Sequence, residues 1–539
     1  MTRAGLVIGM RHLDAAIGSR QPTGYHAAIE GFVGALAGTE RVRELAFFDP
    51  EPLASAEPAP TRDQLVGRAR APAVSYHRAS LATVREPVAC DVFHDHTMSL
   101  LQNLQLRELG ITGSAPFTFA MHGAPLPFAD NQLAGLLLQD VRPDDTFICS
   151  SPVAKQQVQA GLDWMSERLG AQLGTAVRLP LRLEVIPYGV DTATFTPGDR
   201  SAARRELGLP LDATIVLCLG RISPSIKADV LPLLKAFRAL VLRNPGTNLV
   251  LVFAGYFYEP WYRGVVESFL EELALPAGAV VFLDRVEPAR TPTVYACADV
   301  CVALSDCLGE NFGLVPIEAM ACGVPQVVSA WNGYRTTVVD GATGFHVPTW
   351  WSKCDDDLAG VYPFLTKDSM FFLTQQTIAI DVDALTERLH ELVGNPALRA
   401  TMAEASRRRA VEVYDWGVVI AQYVALWDEL IASSRGRHGR PRLPPVSLYD
   451  ACRTQTADVL EDHHVVALAT DRETSLPIYG ALEALLSLDA CDAILGGLED
   501  TGPVEVGEVV AAHAASGTRA HWLRHVLFLV KHGFLTVRR

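Results

Sequence analysis

Two glutamates stand eight residues apart in Ser305–Pro348, SDCLGENFGLVPIEAMACGVPQVVSAWNGYRTTVVDGATGFHVP. The carboxylates of Glu310 and Glu318 can each accept hydrogen bonds from two vicinal hydroxyls, the edge that a ribose or a hexose presents. Gly309 and Gly313 permit tight turns and close approach to a ligand. Pro316 suits the first turn of a helix that Ile317–Met320 continues, and Gly323 suits its left-handed stop. The N–H groups of Gly313, Leu314 and Val315 then point out of a helix N-terminus, which is an anion site suited to a diphosphate. A diphosphate flanked by two diol-binding acids describes a nucleotide-sugar. Either glutamate alone reads as a loop charge or a partner of the helix dipole; the pair in this glycine and proline framework carries the sharper reading.

A second group supplies positive charge. Gly220, Arg221 and Lys227 follow the apolar run Thr214–Leu219. Arginine offers a planar fork and lysine a compact point charge, and both would neutralise a departing diphosphate. Only 6 of the 46 basic residues are lysines, which gives weight to the one at this position. His94, Asp95 and His96 invite a metal reading, but neighbours on a strand point to opposite faces, so no metal is expected there.

These loops need strands that end where they begin. Short apolar runs read as buried strands at Leu6–Gly9, Val88–His94, Phe117–Met121, Thr146–Cys149 and Leu183–Pro187. A second series runs through Thr214–Leu219, Leu249–Ala254, Val280–Leu283, Val300–Leu304 and Gln326–Ser329. Helical spacing fills the gaps, for example at Val230–Leu242 and Tyr262–Leu273. Strands alternating with helices predict an α/β class with two doubly wound parallel sheets, whose ligands bind beyond the carboxyl ends of the strands. The expected domains are residues 1–190 and 191–433, a linker over 434–445 rich in Arg, Gly and Pro, and an appended segment over 446–539.

Composition removes several alternatives. The 539 residues carry a formal net charge of −15, a poor match to the basic face that grips nucleic acid. No apolar run approaches the roughly 18–20 residues needed to span a bilayer, and the N-terminal apolar stretch is too short for a signal peptide. Peripheral membrane contact stays open. The ten cysteines lack a C-x-x-C pair and read as small buried hydrophobes of a reducing compartment. A cytoplasmic protein is expected.

Glu310-x7-Glu318 followed by Ala321-Cys322-Gly323-Val324-Pro325 resembles the donor-site signature of retaining glycosyltransferases of family 4, which have the GT-B fold. The resemblance covers roughly residues 1–430. It implies transfer of a sugar from a nucleotide-diphosphate donor to a hydroxyl acceptor, with retained anomeric configuration, no obligatory metal and no cofactor beyond the donor itself. It also implies that Glu318 holds the ribose and Glu310 the transferred sugar. Asn311, Phe312, Gly313 and Leu314 would line the diphosphate and sugar with their backbone, and Arg221 and Lys227 would clamp the diphosphate. His122, ending the run Phe117–His122, matches a family histidine that faces the transferred sugar. The acceptor, whether glycan, lipid or small molecule, is not indicated. An epimerase or phosphorolytic enzyme on the same scaffold, or a silent scaffold, remains the alternative reading; G-x-G-x-x-G is missing after the first strand, which removes a dinucleotide oxidoreductase.

The chain departs from the family in two places. Pro22-Thr23-Gly24-Tyr25 replaces a Gly-Gly loop, with Gly24 keeping the permissive position and expected at the donor, and Thr23 expected to cap the helix that follows. An insertion at 349–380 carries Trp350, Trp351, Phe371 and Phe372, expected to bury themselves on the domain and shape the acceptor side; its Asp355, Asp356 and Asp357 read as an acidic helix start. The amphipathic helix over 415–431 looks like the family's final helix, which crosses back to the first domain. The appended segment resembles a winged-helix module, with helices at Glu505–Ala515 and Arg519–His532 and a strand at Gly533–Arg538. Its 13 acids against 7 bases favour protein docking or dimerisation over nucleic acid.

Overall fold

Among the described residues, seven strands form the first sheet: β1 (Thr2–Val7), β2 (Val42–Asp49), β3 (Ala73–Arg78), β4 (Val92–Asp95), β5 (Phe117–Ala120), β6 (Thr146–Cys149) and β7 (Arg182–Val185), in the order β3-β2-β1-β4-β5-β6-β7. The pairings of β1 with β2 and β4, and onward to β7, are parallel. The computed structural model describes residues 2–7, 24–49, 73–78, 88–96, 100–108, 110–120, 135–136, 139–284, 286–354, 356–434, 448–452, 458–470 and 486–538. A second sheet takes β8 (Thr214–Leu219), β9 (Leu249–Gly255), β10 (Val280–Asp284), β11 (Val300–Ala303), β12 (Gln326–Ser329) and β13 (Gly344–Val347), in the order β10-β9-β8-β11-β12-β13. All its pairings are parallel. Every residue of β4, β5, β6, β11 and β12 is buried, as parallel strands covered on both faces must be.

Strand order reverses between β1 and β4 in one sheet and between β8 and β11 in the other. Those are the switch points where ligands enter doubly wound folds. The first strand is described over Thr2–Val7, with the remainder of the expected Leu6–Gly9 outside the described residues, and β2, β3 and β13 were not expected. Their sequences explain why. VRELAFFD and AVSYHR mix polar with apolar residues, and GFHV is a four-residue edge strand.

Each sheet is pinned at the end away from its switch-point loops by a buried arginine–aspartate pair. Arg107 donates to both oxygens of Asp145 at 2.6 and 2.7 Å, and Asp145 also accepts from the N–H of Phe117 and of Arg142. Arg204 donates to Asp299 at 2.6 Å and to the carbonyls of Cys297, Leu211 and Ala213, while Asp299 accepts from the Ile215 N–H. Removing one partner of such a pair strands a buried charge, at a cost of about 3–5 kcal/mol.

The Trp416–Ser434 helix leaves the second half and packs in the first. Val419, Ile420, Tyr423, Val424, Trp427 and Leu430 share a core with Ile29, Phe32 and Val33 of the Gly24–Gly38 helix. Trp427 Nε1 donates to Thr118 Oγ1 (3.1 Å), and Arg41–Asp428 and Arg182–Glu429 pair beside it.

The insertion opens with β14 (Thr349–Trp351) and closes with β15 (Ile378–Ile380), paired antiparallel. Between them a helix over Asp356–Ala359 starts on Asp356 and Asp357, while Asp355 lies outside the described residues. Phe371 is buried and Phe372 partly so, but Trp350 and Trp351 are 64% and 53% exposed, against expectation. A two-stranded ribbon has no second layer to cover both faces. Trp351 instead lays its ring edge against Trp331 and donates Nε1–H to Thr377 Oγ1.

The chain divides into two compact units, and the second contains Arg440–Arg539. Within it β16 (Val465–Leu468), β17 (Val504–Glu505) and β18 (Leu535–Arg538) form an antiparallel sheet in the order β17-β16-β18. Helices Leu488–Thr501, Val506–Ala512 and Arg519–Lys531 cover it through Ile494, Val510, Trp522, Val526 and Leu529. Helix–turn–helix then strand is the order expected of a winged-helix module. Most of the cysteines are buried, as expected, but Cys354 and Cys452 are exposed.

Candidate active site

The loops after β8 and β11, the two strands that meet at the second switch point, bring the expected charges together. Lys227 Nζ donates to Glu310 Oε2 at 2.7 Å. The glutamate side chain is 9% exposed and the lysine 35%, so the ion pair has one face toward the cleft. The Tyr334 hydroxyl stands 3.5 Å from the same glutamate oxygen.

Gly313 carries the chain from this loop into the Leu314–Ala321 helix. Its φ is 84°, and a Cβ there would stand 2.1 Å from Tyr334 Cε1. Only glycine both adopts that dihedral and lets the backbone lie on the tyrosine ring. Pro316 sits in the first turn, and Gly323, at φ 67°, follows the helix end. Glu318 accepts a hydrogen bond from the Tyr295 hydroxyl at 2.8 Å. Burial pushes Glu318 up to about 7, and the tyrosine's hydrogen bond pulls it partly back. Burial, and then the charge of Glu318, hold Tyr295 well above its ordinary range.

Asn311 is buried, and neither its amide nitrogen nor its amide oxygen has a hydrogen-bond partner among the described residues. Phe312 packs edge-on between Tyr188 and Tyr414. Ser151 reaches the loop from the first half: its hydroxyl donates to the Asn311 carbonyl at 3.0 Å and accepts from the Ala154 N–H as the cap of the Pro152–Leu173 helix. Arg221 holds its guanidinium over the Tyr258 ring, 5.9 Å from the centroid.

The two loops and the start of the Leu314–Ala321 helix open on one cleft of about 1690 Å3. Arg221, Lys227, Glu310, Asn311, Phe312, Gly313, Leu314 and Glu318 line it, facing Ala28 and Gly31 of the helix that Gly24 begins. His122, Pro22 and Thr23 lie outside the described residues. Tyr295, Tyr334 and Ser151 were not anticipated, because each acts across tens of residues with no local spacing to announce it. Neither was Asp306, a buried carboxyl that burial, and then the charge of Asp229, push up to about 8. His94 spends its ring nitrogens on Thr118 (2.9 Å) and His96 (2.8 Å). Among the described residues no three His, Cys, Asp or Glu side chains cluster to hold a metal ion, and no helix is long and apolar enough to cross a membrane.

Residues 199–355, which hold this loop, helix and ion pair, match the family model described as glycosyl transferases group 1. Over that span the chain is similar to the glycosyl transferases group 1. The group 1 match stops within the insertion. Among curated relatives, D-inositol 3-phosphate glycosyltransferase 2 of Catenulispora acidiphila is 37% identical over 209 residues, 37% of this chain and 48% of that one. The D-inositol 3-phosphate glycosyltransferase of Rhodococcus opacus is 35% identical over 235 residues, 42% of this chain and 51% of that one. The chain thus spans about half the length of these curated relatives. Among solved structures, Anabaena Alr3699/HepE in complex with UDP matches with a TM-score of 0.53 and 16% identity, over 80% of this chain and all of that one. Sucrose-phosphate synthase from Thermosynechococcus elongatus matches with a TM-score of 0.52 and 19% identity, over the same shares. The architecture is GT-B, as the sequence led us to expect.

Proposed function

We propose that the chain moves a glycosyl group from a nucleotide-diphosphate sugar to a hydroxyl acceptor, with retained anomeric configuration and without an obligatory metal. The observation that carries this reading is the single cleft joining the Lys227–Glu310 ion pair, the N-terminus of the Leu314–Ala321 helix and the Tyr295-supported Glu318. In this reading Glu318 accepts hydrogen bonds from the ribose hydroxyls. Arg221, Lys227 and the helix N–H groups take the diphosphate, replacing the charge a metal would supply. Glu310 and the Asn311 carboxamide bind the transferred sugar, and His122 serves it from the first half. The bond from anomeric carbon to diphosphate oxygen breaks with its electron pair on the diphosphate. The acceptor oxygen bonds to the same face of the sugar and passes its proton to a departing phosphate oxygen. Orientation and fixed charge then supply most of the rate enhancement.

The test is turnover of a panel of nucleotide-sugars with hydroxyl acceptors, followed by NMR of the product's anomeric signal, with and without EDTA. The names of the curated relatives make inositol 3-phosphate the first acceptor to try. An inverted product would remove the retaining mechanism, and loss of turnover in EDTA would remove the metal-free one. Product formation without an acceptor would favour the epimerase alternative.

A further inference from the structure

The insertion reaches the donor loops themselves. Phe371, on the Lys367–Gln375 helix, is 4% exposed and lies against Gly309: a Cβ on that glycine would stand 2.8 Å from the Phe371 ring. The ring shares a buried cluster with Cys307, Tyr362 and Met370, against which Ile226 and Leu308 pack. One turn further on, Gln375 is 3% exposed and donates Nε2–H to the Ser225 carbonyl at 2.9 Å. Ser225 and Ile226 lead directly into Lys227, and Gly309 directly precedes Glu310. At the cleft end of the same helix, Lys367 and Asp368 are exposed and line the cleft with Phe371.

These contacts fall at one end of the site. They touch the segment that carries Glu310, assigned to the transferred sugar, and the one that carries Lys227, assigned to the diphosphate next to it, whereas the ribose end is built from Tyr295 and the Leu314–Ala321 helix. We propose that the Lys367–Gln375 helix is the specificity wall for the transferred sugar: Phe371 and Gln375 position the Lys227–Glu310 pair, and Lys367 and Asp368 read sugar hydroxyls beyond it. This rests on the glycosyl-transfer reading above. Physically, a loop with glycine at its turn has no side chain to fix its height, so the phenyl ring pressed on Gly309 sets where the Glu310 carboxylate stands. The Gln375 hydrogen bond does the same for the backbone leading to Lys227. A misplacement of about 1 Å at such a group costs on the order of 100-fold in rate.

The experiment compares wild type with Phe371→Ala, Phe371→Leu, Gln375→Ala and the surface double variant Lys367→Ala/Asp368→Ala. Calorimetry gives Kd for a nucleoside diphosphate and for its hexose conjugates. Initial rates give kcat and KM over several hexoses carried on that same nucleotide. Expected are a nucleoside diphosphate Kd within about twofold of wild type in the Phe371 variants and the double variant, a weaker one in Gln375→Ala, which loosens Lys227 at the diphosphate, and a kcat lowered roughly 10- to 100-fold in Phe371→Ala, with most of the rate restored in Phe371→Leu. The double variant, which alters only exposed side chains, should keep its fold and lose roughly tenfold in discrimination between hexoses. Unchanged kcat and discrimination in every variant would overturn the inference, as would equal loss of affinity for the nucleoside diphosphate and its conjugates in the Phe371 variants or the double variant. If wild type neither binds nor turns over any nucleotide-sugar, the glycosyl-transfer reading falls first and this inference with it.

Discussion

Lys227 Nζ and Glu310 Oε2 lie 2.7 Å apart across 83 residues of sequence, joining the loops after the two strands that meet at the switch point. Each neutralises the other, and in the proposed function a diphosphate sugar entering the cleft divides the pair, with phosphate taking the ammonium and sugar hydroxyls the carboxylate. In that reading the ion pair is a preorganised template whose charges are already in position when substrate arrives.

Lys227→Ala should lower kcat by about 100- to 1000-fold, the usual scale for losing one fixed charge at a developing anion. Glu318→Ala should abolish measurable turnover through lost donor binding. Circular dichroism and a thermal melt establish that each variant is folded. Near-normal activity in either would refute the site assignment.

Glu318 gives nucleotide affinity a pH dependence. Its carboxyl is pushed up to about 7 by burial, so at pH 6 most molecules carry a proton that blocks one acceptor oxygen. Affinity should therefore rise as pH increases through 7, by about tenfold between pH 6 and 8 if only the carboxylate binds ribose diols. Calorimetric Kd values over that range, with Glu318→Gln as the control for titration of the ligand's own phosphate, provide the measurement. Identical slopes in both proteins would count against the role given to Glu318.

Asp306 should make stability fall toward alkaline pH. An unfolded aspartate ionises near 4, whereas burial, and then Asp229, raise Asp306 to about 8 in the fold. Between about pH 4 and 8 the folded chain holds a proton that the unfolded chain has released. The stability contributed by this group thus declines as pH rises through that window and is flat above it. Asp306→Asn should remove the decline and melt above wild type at pH 9. Melting curves at pH 5, 7 and 9 test this, and parallel trends in the two proteins would exclude it.

Gly313→Ala should be costly out of proportion to one methyl group. The left-handed φ of 84° costs an alanine roughly 1–2 kcal/mol, and the methyl would also meet the Tyr334 ring at 2.1 Å. Since Tyr334 contacts Glu310, the displacement should propagate to the ion pair. A lower melting temperature together with weakened donor binding is expected; a variant with wild-type affinity would show that the loop can relax without moving the site.

Much of this molecule is local, and local features are legible in a chain. The strands after which Arg221 and Glu310 follow are unbroken apolar runs, because a parallel strand is buried on both faces. The donor helix announces itself through Gly313, Pro316 and Gly323, whose backbone preferences need no partner. The strands that mix polar and apolar residues, β2 and β3, gave no such signal, and neither did the short edge strand β13. The tryptophans of the insertion misled for a related reason: hydrophobicity says that burial is favourable, but only the surrounding layers decide whether a surface is available to bury against.

Residue type and spacing single out the groups proposed to bind a nucleotide-sugar and the strand ends that present them. How those groups meet is set by the fold. Tyr295 supports Glu318, Tyr334 supports both Gly313 and Glu310, Ser151 bridges from the first half, and Phe371 presses on Gly309 from an insertion some 60 residues away. The reason is physical. Backbone conformation follows from neighbours a few residues apart, whereas the placement of a charge to a fraction of an ångström is fixed by close packing, which joins side chains without regard to their distance along the chain.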